Sequence, residues 1–417
     1  MINIIPYSVI LLFFKNLKAV KKYQYINSMQ QTNNQIYKNS LFFLNLALFL
    51  LISGCNYKKD INLANKNASI DTSKGLKDYY TDYFPIGFAV DTKELSGNDT
   101  IFLKKNFSLL STTFAMKFRF IHPHEDFYYW EKADSLVNFA IANKMKIRGH
   151  ALVWSNNPPW IFKDTLGMKL SKAEMLKRLE QNPCDCLCPT VSRKVLLERL
   201  KDHINKVVGR YKGKVYAWDV VNEAIYDNNR EFLKSTDWKK IIGEDYIDSA
   251  FTYAHAADPN ALLFYNDYNF DGDPQKVERI CRLIKNLQSR KIPIHGIGIQ
   301  AHWSLSKPNI ADIENEILAY ANLGMTIEIT ELDIPIYPSE KESDVLKIEQ
   351  SENLEQLKLQ QSNRYKQVFE LFRKHKKHIS GVTFWQALHP NMSYGAPVIF
   401  DSTLYKRKAY SELINFL

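Results

Sequence analysis

The 417-residue chain contains only five cysteines, too few for a disulfide scaffold. Glycine and proline contribute 15 residues each, which excludes a collagen-like or Pro/Gly-rich low-complexity protein. No apolar run reaches the ~20 residues of a comfortable membrane span. The run at 41–54, LFFLNLALFLLISG, has 14 residues. G-x-G-x-x-G and P-loop motifs are absent, as are a Ser nucleophile elbow and Cys/His metal spacing. Dinucleotide binding, P-loop phosphate transfer, serine-hydrolase chemistry and a standard zinc site therefore have no support.

What the chain does have is 45% apolar, 24% charged and 13% aromatic residues, an ordinary globular composition that is rich in aromatics. The formal charge of +10 first suggests an anionic partner such as nucleic acid. Its placement along the chain removes that reading. Residues 1–54 carry Lys15, Lys18, Lys21, Lys22 and Lys38 and no acidic residue, so the remainder is only +5.

The 41–54 run has the length of a signal-peptide core, with Lys38 as its positive flank. It ends Leu51-Ile52-Ser53-Gly54-Cys55, which resembles a bacterial lipoprotein box with cleavage before Cys55 and lipidation of that cysteine. Met29 opens a signal of conventional length, so residues 1–28 read as a miscalled start. A second anchor at 4–14 is the alternative. The expected protein is thus an exported lipoprotein of the cell envelope, held to a lipid membrane. Residues 55–75 are a polar linker, and 76–417 form the folded domain.

Strand-like runs lie at 84–90, 107–113, 146–154, 215–222, 261–267, 294–300, 325–331 and 380–385. Between them sit segments with helical apolar spacing, among them 132–144, 194–210 and 363–375. Eight strand–helix units predict an α/β chain folded as a single (β/α)8 barrel, with an open doubly wound sheet as the alternative. Barrel function sits at the C-terminal strand ends. Those ends hold Lys117, His150, Trp154, Asn222, Glu223, Asn266, Asp267, Tyr268, Asn269, Gln300, His302, Glu331 and Trp385. Carboxylates, amides, imidazoles and indoles on one rim suit polyol chemistry.

Glu223 and Glu331 leave different strands and can flank one sugar, as glycoside hydrolysis requires. Apolar sequence neighbours around Glu223 predict desolvation and a raised pKa, fit for an acid. Thr330, Asp333 and His302 near Glu331 predict an ionised nucleophile. Glu328, on the opposite face of the same strand by two-residue periodicity, reads as a carboxylate paired with Lys or Arg.

W-D-V-V-N-E-A at 218–224, I-T-E-L-D-I at 329–334, G-I-G-I-Q-A-H-W at 296–303, G-H-A-L-V-W at 149–154, Y-N-D-Y-N at 265–269 and V-T-F-W at 382–385 resemble glycoside hydrolase family 10, the endo-β-1,4-xylanases. The resemblance runs from about Phe84 to Tyr410. It implies a retaining hydrolase of xylan or xylo-oligosaccharides, monomeric and free of cofactors. Glu223 would be the acid/base, Glu331 the nucleophile, and Asn222 a partner for the 2-hydroxyl at −1. Gln300 and His302 would orient the nucleophile. Lys117, His150, Trp154 and Trp385 would line the glycone side, with Tyr268 and Asn269 on the aglycone side. A mixed-linkage or branched β-glycan substrate, and a non-catalytic glycan-binding lipoprotein, remain as alternatives.

The chain also departs from the family's pattern. Where the family has Pro-Glu-Asn-x-Met-Lys after strand 2, this chain has Thr112-Thr113-Phe114-Ala115-Met116-Lys117, losing two polar grips at −2. Phe114 is open to a stacking or a core-packing role. Ser155 and Asn157 replace a usual His and Gln. After Trp385 the Gly and Asp of W-G-x-x-D-x-x-S-W are missing, and Tyr394 is a stand-in for the second Trp. An insert at 180–190 carries Cys184, Cys186 and Cys188. In an exported protein a loop disulfide is the preferred reading, with free thiols or a metal as alternatives. Cys281 reads as a buried helical core residue.

Overall fold

The computed structural model describes residues 73–163, 190–227, 231–336, 353–385, 399–400 and 408–416. The export run, Cys55, the insert cysteines and Tyr394 lie outside them.

The strands are β1 (Ile86–Val90), β2 (Leu109–Thr112), β3 (Lys146–Gly149), β4 (Ala217–Asn222), β5 (Leu262–Asp267), β6 (Gly296–Ile299), β7 (Thr326–Leu332) and β8 (Ile379–Phe384). They pair in parallel and in chain order, and β8 closes on β1 to complete the barrel. All eight fall within or against the stretches read from sequence, and the open-sheet alternative is excluded.

The crossovers are helices whose apolar stripes face the strands: α1 (Gly97–Asn106), α2 (Glu131–Ala142), α3 (Arg193–Arg210), α4 (Tyr246–Ala257), α5 (Pro274–Ser289), α6 (Ile310–Ala321), α7 (Leu354–Lys374) and α8 (Lys408–Ile414). In α5 the residues Lys276, Arg279, Ile280, Leu283, Ile284 and Leu287 are buried, at the three- and four-residue spacing of one helix face. Starts are set by caps. Ser192 accepts the N–H of Val195 ahead of α3, Asn309 that of Asp312 ahead of α6, and Asp273 those of Gln275 and Lys276 ahead of α5, where Pro274 takes the first turn.

Strands covered on both faces read as nearly continuous apolar runs, and β1 and β2 are buried throughout. The lumen nevertheless contains charge. Arg148 of β3, wholly buried, reaches Glu328 of β7 at 2.6 Å and Asp219 of β4, with its guanidinium 4.3 Å from the ring centre of Phe264 on β5. Tyr216 donates to Glu328 at 2.8 Å.

Glu328 is therefore the ion-paired carboxylate that sequence indicates. Its expected direction is wrong, however: it points into the barrel, as Glu331 does. The pairing of β7 with β8 slips between Ile329 and Leu332, and such a bulge lets two residues three apart face the same side. Cys281 lies on α5 as expected but is only half-buried against the core.

Arg148→Met would leave Asp219 and Glu328 buried without their cation. Removing one partner of a buried pair costs about 3–5 kcal/mol, so the urea midpoint should fall steeply. A midpoint equal to that of the parent would show that the lumen charges are not coupled.

Candidate active site

At the C-terminal mouth, side chains from β3 to β7 converge on two glutamates. Glu331, at the end of β7, is almost fully buried. Its Oε1 accepts from Asn266 Nδ2 at 2.8 Å and lies 3.9 Å from His150 Nδ1. Its Oε2 lies 3.3 Å from His302 Nε2. Its backbone N–H donates to the Gln300 carbonyl at 3.0 Å. Burial alone would raise its pKa. The charge of His150, the hydrogen bond and charge of His302 and the charge of Lys117 outweigh burial and hold the carboxyl at about 2.

His302 is fixed on its far side by Asp333, with Nδ1 2.9 Å from Oδ2. Burial would lower its pKa, but Asp333 and then Glu331 more than offset this and lift it to about 10. His150 is held by Asp219 at 3.0 Å through Nδ1, the same nitrogen that lies nearest Glu331. Because Asp219 also bonds Arg148, a hydrogen-bonded chain runs from the lumen pair to His150, which meets the nucleophile candidate at ion-pair distance.

Glu223 follows β4 and adopts φ +56°, the left-handed region that disfavours side chains other than glycine's. In an extended strand, successive side chains point to opposite faces. Here the turned backbone lets both Asn222 and Glu223 address the mouth. The carboxyl is half-buried, and its Oε1 accepts from Asn222 Nδ2 at 2.9 Å and Gln300 Nε2 at 3.0 Å. The apolar environment suggested by its sequence neighbours is not what the carboxyl meets, because Val221 and Ala224 turn into the core and the Asn222 and Gln300 amides hold the carboxyl. Tyr265 secures the segment after it, with its hydroxyl accepting the N–H groups of Ala224 and Ile225 and donating to Asp267.

Two amides connect the glutamates. Asn266 Nδ2 donates to Glu331 and to Asn222 Oδ1 at 2.8 Å, while Asn222 donates to Glu223. Asn266 Oδ1 accepts from Thr330 Oγ1 at 2.7 Å. This crossing demands space. A Cβ on Gly298 would stand 2.1 Å from Asn266 Oδ1, so glycine at that point of β6 admits the amide.

The walls are aromatic and cationic. Lys117 Nζ lies 4.8 Å from the Trp154 ring, 5.5 Å from Trp385 and 5.5 Å from Phe114. Burial lowers the pKa of its ammonium, against the pull of Glu331 and Glu223. Trp385 meets His150 edge-on at 5.3 Å and His302 at 6.5 Å. On the β5 side Tyr268 donates to Asp227 at 2.7 Å, carries Lys276 over its ring at 3.5 Å and stacks on exposed Phe270 at 4.3 Å.

Lys117, His150, Trp154, Asn222, Glu223, Gln300, His302, Glu331 and Trp385 are thus brought together, with Tyr268 on the adjoining wall. Two residues differ from expectation. The Gln300 side chain grips Glu223, and only its backbone carbonyl serves Glu331. Asn269 spends its amide on Asp273 and Glu316 behind the rim. Sequence reasoning placed Asn266 at the functional rim without giving it a role, and missed Asp219. Both sit inside motifs as polar positions in otherwise apolar strands, which is the signal that marks them.

The His302–Glu331 contact predicts a pH signature. His302 is raised above its unfolded value of ~6.5, so its stabilisation is full below that and fades as pH climbs toward its folded value. Glu331 is depressed below ~4.3, so its share is full above that value and fades toward acid. His302→Asn should therefore destabilise most between about pH 4.3 and 6.5, and clearly less near pH 9.5, in urea titrations. A penalty that does not change with pH would refute the charged pair.

A family model described as glycosyl hydrolase family 10 matches residues 75–416. The chain is 40% identical over 353 residues to a beta-1,4-xylanase of Dictyoglomus thermophilum, covering 82% of this chain and 90% of that protein. It is 41% identical over 311 residues to an endo-1,4-beta-xylanase of Geobacillus stearothermophilus, covering 74% of this chain and 86% of that one. The crystal structure of xylanase XynB from Paenibacillus barcinonensis superposes with a TM-score of 0.72 at 37% identity, over 83% of this chain and 99% of that chain. With its closed barrel and the two glutamates at its mouth, the chain belongs to glycosyl hydrolase family 10.

Proposed function

We propose that this protein hydrolyses β-1,4-xylosidic bonds in xylan or xylo-oligosaccharides with retention of configuration, Glu331 being the nucleophile and Glu223 the acid/base. Family membership and the xylanase relatives support the reaction. The observation that carries the roles is the asymmetry of the two carboxyls. Glu331 is held ionised by His150, His302 and Lys117, whereas the partners of Glu223 are the neutral amides of Asn222 and Gln300.

In the first step Glu331 attacks the anomeric carbon. Glu223 gives its proton to the departing glycosidic oxygen, leaving a xylosyl ester on Glu331. In the second, Glu223 takes a proton from water, which attacks the same carbon and frees Glu331. Asn222 lies between the carboxyls, where its amide can meet the 2-hydroxyl of the reacting sugar. Trp385, Trp154 and Lys117 enclose that sugar from the β2–β3–β8 side, and Tyr268 with Phe270 forms the opposite wall.

Glu331→Ala should abolish release of reducing sugar from xylan. Glu223→Ala should lose activity on xylan but keep a residue on aryl xylosides with good leaving groups, whose departure needs no proton. Full activity in either variant, or inverted product anomers, would refute the assignment.

The 41–54 run and Cys55 support export and lipid anchoring, with the barrel acting as a monomer in the cell envelope. Metabolic labelling with a fatty acid should mark the protein, and Cys55→Ala should remove the label. Equal labelling of the variant would exclude this anchor.

A further inference from the structure

Phe114 is one of few large apolar side chains left open to solvent among the described residues, at 47% exposure. This decides between the two roles that sequence leaves open, because a core residue would be covered. The turn after β2 presents it. The Thr112 hydroxyl accepts the backbone N–H groups of Phe114 and Ala115, at 3.3 and 2.8 Å, and fixes the loop. Thr113 directs its own hydroxyl to the Val90 carbonyl. Both hydroxyls of the turn are engaged with backbone, and the surface it offers is an aromatic ring. Phe120 backs that ring, 5.3 Å away and tilted by 59°.

The position of the ring gives it meaning. Phe114 and the indoles of Trp154 and Trp385 surround the same Lys117 ammonium. That ammonium feels both Glu331 and Glu223. Phe114 therefore shares the Lys117 ammonium with the two indoles, one side chain removed from the carboxyls. A pyranose with equatorial hydroxyls has apolar C–H faces, and an exposed phenyl ring matches such a face.

We propose that Phe114 is a specificity-determining platform on the β2 side of the cleft. It stacks against the sugar unit next to the reacting one and recognises that unit by its ring face. This rests on the hydrolase reading above and adds to it. The preferred substrates are chains with at least two sugar units on this side of the scissile bond.

The test is the ratio of kcat/KM on an aryl β-xylobioside to that on an aryl β-xyloside, which places no second sugar there. Phe114→Ala should lower this ratio about five- to tenfold, the worth of one aromatic stacking contact, mainly through KM for the xylobioside. Phe114→Tyr, which keeps the ring, should restore it. An unchanged ratio, or a fall that Phe114→Tyr does not restore, would overturn the platform. Calorimetric titration of xylotriose into Glu331→Ala protein, with and without Phe114→Ala, reads the contact without turnover. A weaker affinity in the double variant supports the platform, and equal affinities overturn it. If the unsubstituted protein cleaves neither aryl substrate, the hydrolase reading falls and the calorimetric comparison still decides the role of Phe114.

Discussion

The site depends on a single guanidinium sealed inside the barrel. Arg148 neutralises Glu328 on one side and Asp219 on the other, and Asp219 in turn holds His150 against Glu331. Buried charge is costly unless paired and hydrogen-bonded. The lumen of a barrel is filled by side chains, so Glu328, Arg148, Asp219 and His150 constrain one another. The alternation of signs from Glu328 through Arg148 to Asp219 runs up to the floor of the cleft. The buried charges of the lumen and the placement of the nucleophile candidate are parts of one network.

Above that floor the two carboxyls are treated differently by their surroundings. Glu331 is wedged among cations and an amide, a setting that holds a fixed negative charge. Glu223 is half-exposed and meets amide donors that belong equally to Asn222 and Gln300. Asn266 is central to both, because its one side chain touches Glu331, Asn222 and Thr330. Three strands contribute to this crossing, and the absence of a side chain on a fourth, at Gly298, makes room for it.

Much of this was legible in the sequence. Apolar runs alternating with helical spacing locate the eight strands, and reading polar residues at their C-terminal ends collects most of the mouth. Pairings through space were not legible. Gln300 lies between β5 and β7 in the barrel order, yet its amide turns toward β4, and no local pattern announces which glutamate it serves. The direction of Glu328 was misread because period-2 reasoning assumes an unbroken ladder, and β7 slips against β8. Asn269 has the right type and position for a sugar contact, but a neighbouring helix start claims its amide. Exposure at Phe114 depends on how a turn is hydrogen-bonded, which composition cannot report.

The left-handed backbone at Glu223 carries a consequence for substitution at this position. Glycine is the residue that this conformation favours, and glycine has no carboxyl. The position is therefore pulled in two directions, toward relief of backbone strain by losing the side chain and toward the contacts with Asn222 and Gln300 by keeping it. A glutamate there keeps its carboxyl on the amides of Asn222 and Gln300 only by holding that torsion angle.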